Sequence, residues 1–455
     1  MTDSVRWNKI LRHLLLCFLV LLASDQITLG EDWPQWNGPR RDGSVHESEL
    51  LTTIPSDGLK LVWRQPISFG YSGPIIADGK TFIFDYKKAT GEITNNAGKR
   101  DKLTGKERLL CFHATTGKPL WSYEYERSYA VSYGGGPRAT PSYHDEMVYA
   151  LGAEGDLTCV DAKRGTKVWH INFKEQYGAK TPLWGHSASP LVYGNTLICM
   201  VGGEGSLVVA FDLKTGKEQW RALSSSETGY CPPTIVKHGG REQLMIWDPE
   251  QISSLNPTNG KLYWQHPLKP DYGMSILPPI SNGDLLFTGG EGSKGVMLKL
   301  KRNASGVEKL WGGSPKRGVY LATSNGIFYE GYLYGADIRS GAVICARGDT
   351  GERLWQSALP TTGSTRGRGG AHGTAFLMKL SGHNYILFSE TGDIISAELS
   401  PAGYRETGRF HAIKPTSNTM GRTVVWTFPA IADGRLYLRN DNEAVCYSLA
   451  NDSTN

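Results

Sequence analysis

The chain has 455 residues, 55 of them glycine and 10% aromatic, and a formal charge of +5 spread over 49 basic and 44 acidic side chains. So mild and mixed a balance leaves no footprint for nucleic acid. Abundant glycine with abundant aromatics fits short strands joined by tight turns better than helices, and the length calls for several domains unless the core grows by adding units.

In chain order, the first thirty residues read as a signal peptide. Arg6, Lys9 and Arg12 precede an apolar run from Leu14 to Ala23, too short to span a bilayer but suited to a signal core. Cleavage near Gly30 would deliver an exported product, periplasmic or secreted, with no transmembrane segment. Cys17 sits mid-run behind the large Leu16, a poor place for a lipid anchor. Residues 31–57 form a lead segment whose EDWPQWNGPRRDG stretch has two Trp and two Pro but no strand pattern. It is expected to pack on the body that follows, over 58–450, with 451–455 as a tail.

That body is repetitive. ATTGKPLW, AKRGTKVW, DLKTGKEQW, NPTNGKLYW and GDTGERLW each place a Gly four residues before a Trp: Gly117/Trp121, Gly165/Trp169, Gly216/Trp220, Gly260/Trp264 and Gly351/Trp355. A looser copy sets Gly306 five before Trp311, and the Trp-to-Trp steps run from 44 to 51 residues. This period suits a blade of four short strands. Each unit opens a strand after Pro or Gly, adds a second, and turns at a glycine such as Gly155, Gly205 or Gly292, which supplies positive φ. A third strand follows, and the T-G-K turn leads into the Trp-bearing fourth.

Trp63, Trp121, Trp169, Trp220, Trp264, Trp311 and Trp355 count seven units, and Phe410 stands in the Trp place of a degenerate eighth. Trp63 has no first three strands before it, and residues 427–449 have three strands with no fourth. These halves complete each other. The expected fold is therefore all-β, a single eight-bladed β-propeller of four-stranded blades closed by its N- and C-terminal strands, with seven as the rival count. Cys111, Cys159, Cys345 and Cys446 share one repeat position and read as small buried apolar residues. Two insertions, 87–107 and the Gly-rich 361–370 with Arg366 and Arg368, are expected as solvated, mobile loops.

The A-x-x-x-T-G-x-x-x-W copies resemble the tryptophan-docking repeats of the pyrroloquinoline-quinone-binding-like propellers, which include quinoprotein alcohol dehydrogenases and BamB-type envelope proteins. WPQWNGPRRDG and GPRATPSYHDEMVYALGAEGDLTCVDAKRGTKVW resemble a subgroup of secreted bacterial propellers. The resemblance implies the fold and makes the repeat tryptophans docking residues between blades. It leaves function open, because enzymes and non-catalytic members share the repeat. The enzymes commonly hold the quinone on a Trp floor beneath a disulfide of adjacent cysteines, with calcium bound by Glu, Asn and Asp. This chain has no Cys-Cys dipeptide and no C-x-x-C-H haem module, and Glu154, Glu204 and Glu291 fall on hairpin turns.

One register carries a site hypothesis. Just before the Pro that opens a first strand stand Tyr71, Arg138, Ser187, Tyr230, Ile276 and Trp426, with His186 and His372 close to that phase. Loops entering innermost strands crowd a propeller's central channel, so Tyr71, Arg138, His186, Tyr230, His372 and Trp426 are expected at one mouth. Two readings stand: a recognition surface, or a plug of residues bonded to one another. The leading functional expectation is a non-catalytic, monomeric envelope module binding a protein, peptide or glycan, with no cofactor. Pyrroloquinoline quinone and calcium enter only under the alternative, a quinoprotein-like alcohol or polyvinyl-alcohol dehydrogenase.

Overall fold

The computed structural model describes residues 30–366 and 369–451. The expected signal segment therefore lies, but for Gly30, outside the described residues, as do Cys17 and Arg368. Eight four-stranded antiparallel blades form a ring. The first is Ile75–Ala77, Lys80–Thr90, Asp101–His113 and Pro119–Glu126; the next five repeat the plan, and the seventh ends with Gly403–His411. The eighth takes Ala430–Ala432, Arg435–Arg439 and Glu443–Ser448 from the C-terminal end and Leu61–Pro66 from the N-terminal side, with Trp63 opposite Cys446. Eight is the blade count, and the two chain halves close the ring. Among the described residues, helix is confined to Phe173–Tyr177, Leu359–Thr362 and three single turns.

Why the sequence repeats is visible between blades. The Trp indole N–H donates to a carbonyl of the following blade: Trp63 to Ala114 at 2.7 Å, Trp121 to Ala162 at 3.0 Å, Trp169 to Leu213 at 2.9 Å, Trp311 to Gly348 at 2.8 Å and Trp355 to Ser400 at 2.7 Å. Except at Trp355, where Gly403 has nothing within 4 Å, the turn glycine of that following blade lies on the same indole. A Cβ on Gly117 would stand 2.6 Å from the Trp63 ring, and one on Gly216 2.8 Å from Trp169. These glycines have φ of 69°, so the position demands Gly twice, for conformation and for space. Gly58 rests in the same way on Phe410, which explains the aromatic there.

The looser copy marks a real exception. Gly306 has nothing within 4 Å, and Trp264, the residue it would have covered, turns its N–H to Gln243 Oε1 of its own blade at 2.9 Å. The four equivalent cysteines lie buried and free, each opposite its blade's Trp.

The insertions are ordered at their bases. Residues 87–90 and 101–107 prolong the second and third strands of blade one, with 91–100 a largely exposed loop between them, and Asp101–Leu103 pair with Tyr129–Val131. The 361–370 stretch is anchored at both ends. Thr361 is buried and donates to the Gly341 carbonyl, and Gly369 N–H donates to Ser340 O at 2.9 Å.

Candidate functional site

The lead segment does more than lie on the ring. Trp33 pairs with Ile76 of blade one, Pro34 O accepts from Tyr143 of blade two, and Arg41 donates to Ser189 O and Pro190 O beside blade three. On the other side, Asn37 accepts from Asn325 before blade six, and Gly43 O accepts from Lys379 of blade seven. A strand of chain touching inner strands on both sides of an eight-membered ring must cross its axis. Residues 33–44 therefore close the channel. The Trp36-Asn37-Gly38 bend is tight, with positive φ at Asn37 (59°) and Gly38 (85°) and Gly38 packed on the Trp33 ring.

Above this crossing lies a cavity of about 850 Å³ with Trp36 among its lining, inside the range of small-molecule sites, about 300–1,000 Å³. Five residues expected at the mouth line it: Tyr71, Arg138, Tyr230, His372 and Trp426, together with Ser187 and Ile276 of the same register. His186 does not. It is buried against Phe173, 5.4 Å between ring centres, and burial pushes its imidazole down to about 4. A phase shifted by one residue turns the side chain into the wall.

The lining is held rigidly. Trp184 meets Tyr230 at 5.3 Å between ring centres. Trp426 donates its indole N–H to Glu390 at 3.1 Å, and Glu390 is itself paired with Arg422. Trp36 packs edge-on against Phe428 at 5.4 Å and lies under the Arg41 guanidinium, also at 5.4 Å. Insertions supply the rim: Ala97 and Gly98 at the tip of the blade-one arm, Tyr272 on the link to blade five, and Met420 on the hairpin Ser417–Thr419 with Arg422–Val424. That hairpin is tied down by Thr416 and Ser417 hydroxyls donating to Asp441, and reaches Tyr133 through Thr419 at 3.1 Å.

The electrostatics are uneven. Arg138 lies over the Tyr71 ring at 5.4 Å and donates to the carbonyls of Ser132 and Tyr133, with no carboxylate partner, and its Nη1 is buried without a bond. Arg41, beneath the floor, also has only uncharged acceptors, and burial pushes it down to about 9. Burial lowers His372, with Glu291 opposing. The lining carboxylates are Glu291, partly buried, and Glu227, exposed. Glu154, by contrast, is absorbed by structure. Burial would raise it, but Lys174 at 2.5 Å, the Ala130 N–H and Thr181 hold it low.

Sequence reasoning missed Trp36, Trp184, Tyr133 and the rim residues. Trp36 stood out as an unexplained Trp in a strandless segment; the others follow no repeat phase.

Comparison with known proteins bears on this geometry. Residues 45–233 and 105–357 match the family model described as outer membrane protein assembly factor BamB, together more than half of the chain. An alignment 170 positions long, covering 33% of this chain, is 27% identical to the quinoprotein alcohol dehydrogenase PedH of Pseudomonas putida and spans about a quarter of that protein's length. Among solved structures, BamB from Moraxella catarrhalis superposes with a TM-score of 0.50 at 12% identity, over 80% of this chain and 99% of that one. The quinohemoprotein alcohol dehydrogenase from Comamonas testosteroni gives 0.59 at 13% identity, over 92% and 80%. A europium-containing methanol dehydrogenase gives 0.58 at 12%, over 92% and 98%. At such identities these likenesses speak to fold alone.

Proposed function

We propose that this chain, which belongs to the BamB-like family of pyrroloquinoline-quinone-repeat propellers, is an exported, non-catalytic binding module of the cell envelope that takes its ligand in the blind channel mouth. The observation that carries this reading is the cavity itself: closed beneath, walled by braced aromatic rings, and holding a guanidinium that no carboxylate bonds. Filling for its own sake would call for small apolar residues packed on one another; rigid aromatic and Arg anchors around open volume are what binding sites use. No helix among the described residues is long and apolar enough to cross a membrane.

The test begins with a thermal-shift screen of glycans and peptides. For a hit, Arg138→Ala and Trp426→Ala should each weaken binding about thirtyfold, an anchor loss of ~2 kcal/mol, with melting little changed. Two variants that melt early yet bind normally when folded would instead make the mouth a structural plug.

The identity to PedH favours a second reading, a quinone-dependent alcohol dehydrogenase. Calcium, a hard cation, takes six to eight oxygen ligands. Glu227 stands on the link into blade four and Glu291 on a turn within blade five, and among the described residues no three His, Cys, Asp or Glu gather to hold a metal. Cys231, between the lining residues Tyr230 and Pro232, is a lone buried thiol. This donor set does not fit a calcium-held quinone. Incubation with pyrroloquinoline quinone and calcium should yield neither stoichiometric absorbance nor alcohol oxidation; turnover would establish the second reading.

A further inference from the structure

Two guanidiniums at the cavity have no carboxylate within hydrogen-bond reach, Arg138 in the wall and Arg41 under the floor; Arg138 Nη1 and Arg41 Nε are both buried without a partner. Glu154 acts on Arg138 only at a distance. A desolvated cation without a bonded acid favours an entering anion. The lining also offers Trp36, Trp184 and Trp426 and the side chains of Ser187, Thr323 and Ser324.

Resting on the binding reading above, we propose that the ligand is a short acidic oligosaccharide, inserted with its uronate end toward Arg138 and stacked on Trp36. A pyranose ring offers an apolar C–H face to indole and a rim of hydroxyls to serines, threonines and the lining carboxylates. Its rigidity suits rings that are themselves braced, and the carboxylate meets the unpaired guanidinium in a charge-assisted hydrogen bond. A peptide is less well served. The lower channel, where inner-strand edges could pair with backbone, is already filled by residues 33–44. Trp36 is thus a ligand-contacting residue delivered by the lead segment. Arg41, which reaches the lining residues Trp36 and Ser189 but does not itself line the cavity, is a positioning residue.

The experiment titrates trigalacturonic acid into the full chain, followed by tryptophan fluorescence and calorimetry, beside its methyl ester, maltotriose and a trityrosine peptide. The acid should bind about tenfold or more tighter than its ester. Arg138→Gln should abolish that preference, whereas Trp36→Leu should weaken acid and ester alike and leave their ratio. If Arg138→Gln melts early, Arg41→Gln, which changes no lining side chain, should still lower the ratio. Equal binding of acid and ester, or no sugar binding at millimolar concentration, overturns the proposal. Peptide binding stronger than sugar, and sensitive to Arg138→Gln, overturns the sugar class while leaving the cavity as the site. Sugar binding indifferent to Trp36→Leu, Arg138→Gln and Trp426→Ala would place the ligand elsewhere and sink the binding reading as well.

Discussion

At the rim of the ring one contact is made again and again, while along its axis scarcely any contact is made twice. A rim indole finds a glycine and a carbonyl on the next blade, and Trp63, Trp121 and Trp169 do this alike. On the axis, Arg41 meets Ser189 and Pro190, Asn325 meets Asn37, and Trp426 meets Glu390, each in its own geometry. Repetition at the rim builds the scaffold. Irregularity at the axis is where recognition can differ from one relative to another.

The comparison breaks hardest at ring closure. Removing residues 427–455 strips Leu61–Pro66 of its partner strand and leaves open sheet edges with the apolar faces of two end blades bare. The truncated chain should lose its cooperative melt altogether; a transition like that of the full chain would mean the rim contacts stand alone.

Glu107 sharpens the contrast from the one-off side. It is fully buried between blades one and two, accepting from the Tyr125 and Tyr129 hydroxyls and the Ala153 N–H. Burial raises it from 4.5 to about 7, against those bonds and with Asp156 adding to the rise. The folded chain therefore retains a proton that the unfolded chain releases near 4.5. The stability this confers is complete below about pH 4.5 and is lost as pH rises through 7, a loss of about 3 kcal/mol. Glu107→Gln should flatten that decline relative to wild type in denaturant titrations across pH 4–8. Parallel curves would mean the carboxyl is ionised throughout.

The smallest effect lies within the rim itself. Gly216→Ala and Gly205→Ala both force Ala to a φ of 69°, but only the first also drives a methyl into an indole. Gly216→Ala should cost about 1–3 kcal/mol more than Gly205→Ala in chemical denaturation. Equal costs would reduce the docking glycine to a backbone requirement.

This contrast also governs what could be read from the sequence. The Trp ladder gave away the blades because Gly and Trp recur at a fixed spacing, and Trp63 with its orphan strand announced the closure. The mouth was half legible. Register brought Tyr71, Arg138, Tyr230, His372 and Trp426 to one cavity, since loops at equivalent blade positions converge. It misplaced His186, because adjacent residues of an irregular link point to opposite sides. The crossing of the axis by WPQWNGPRRDG was illegible, since a contact that occurs once leaves no period. Of the 87–107 arm, polar composition indicated the exposed loop at 91–100 but gave no sign of the strand pairing at its base.

The crossing has a consequence for the order of events in time. Residues 33–44 leave the ribosome before any blade, yet the partners they need lie on blades one, two, three, six and seven. First made, they can be seated only when the ring is nearly whole. What seats last adds little to the folding barrier's early climb and must be withdrawn early on the way out, so its contacts weigh chiefly on the escape rate. The lead segment acts as a bolt shot through a finished hoop, and the lifetime of the folded chain is set in part by how slowly that bolt slides back.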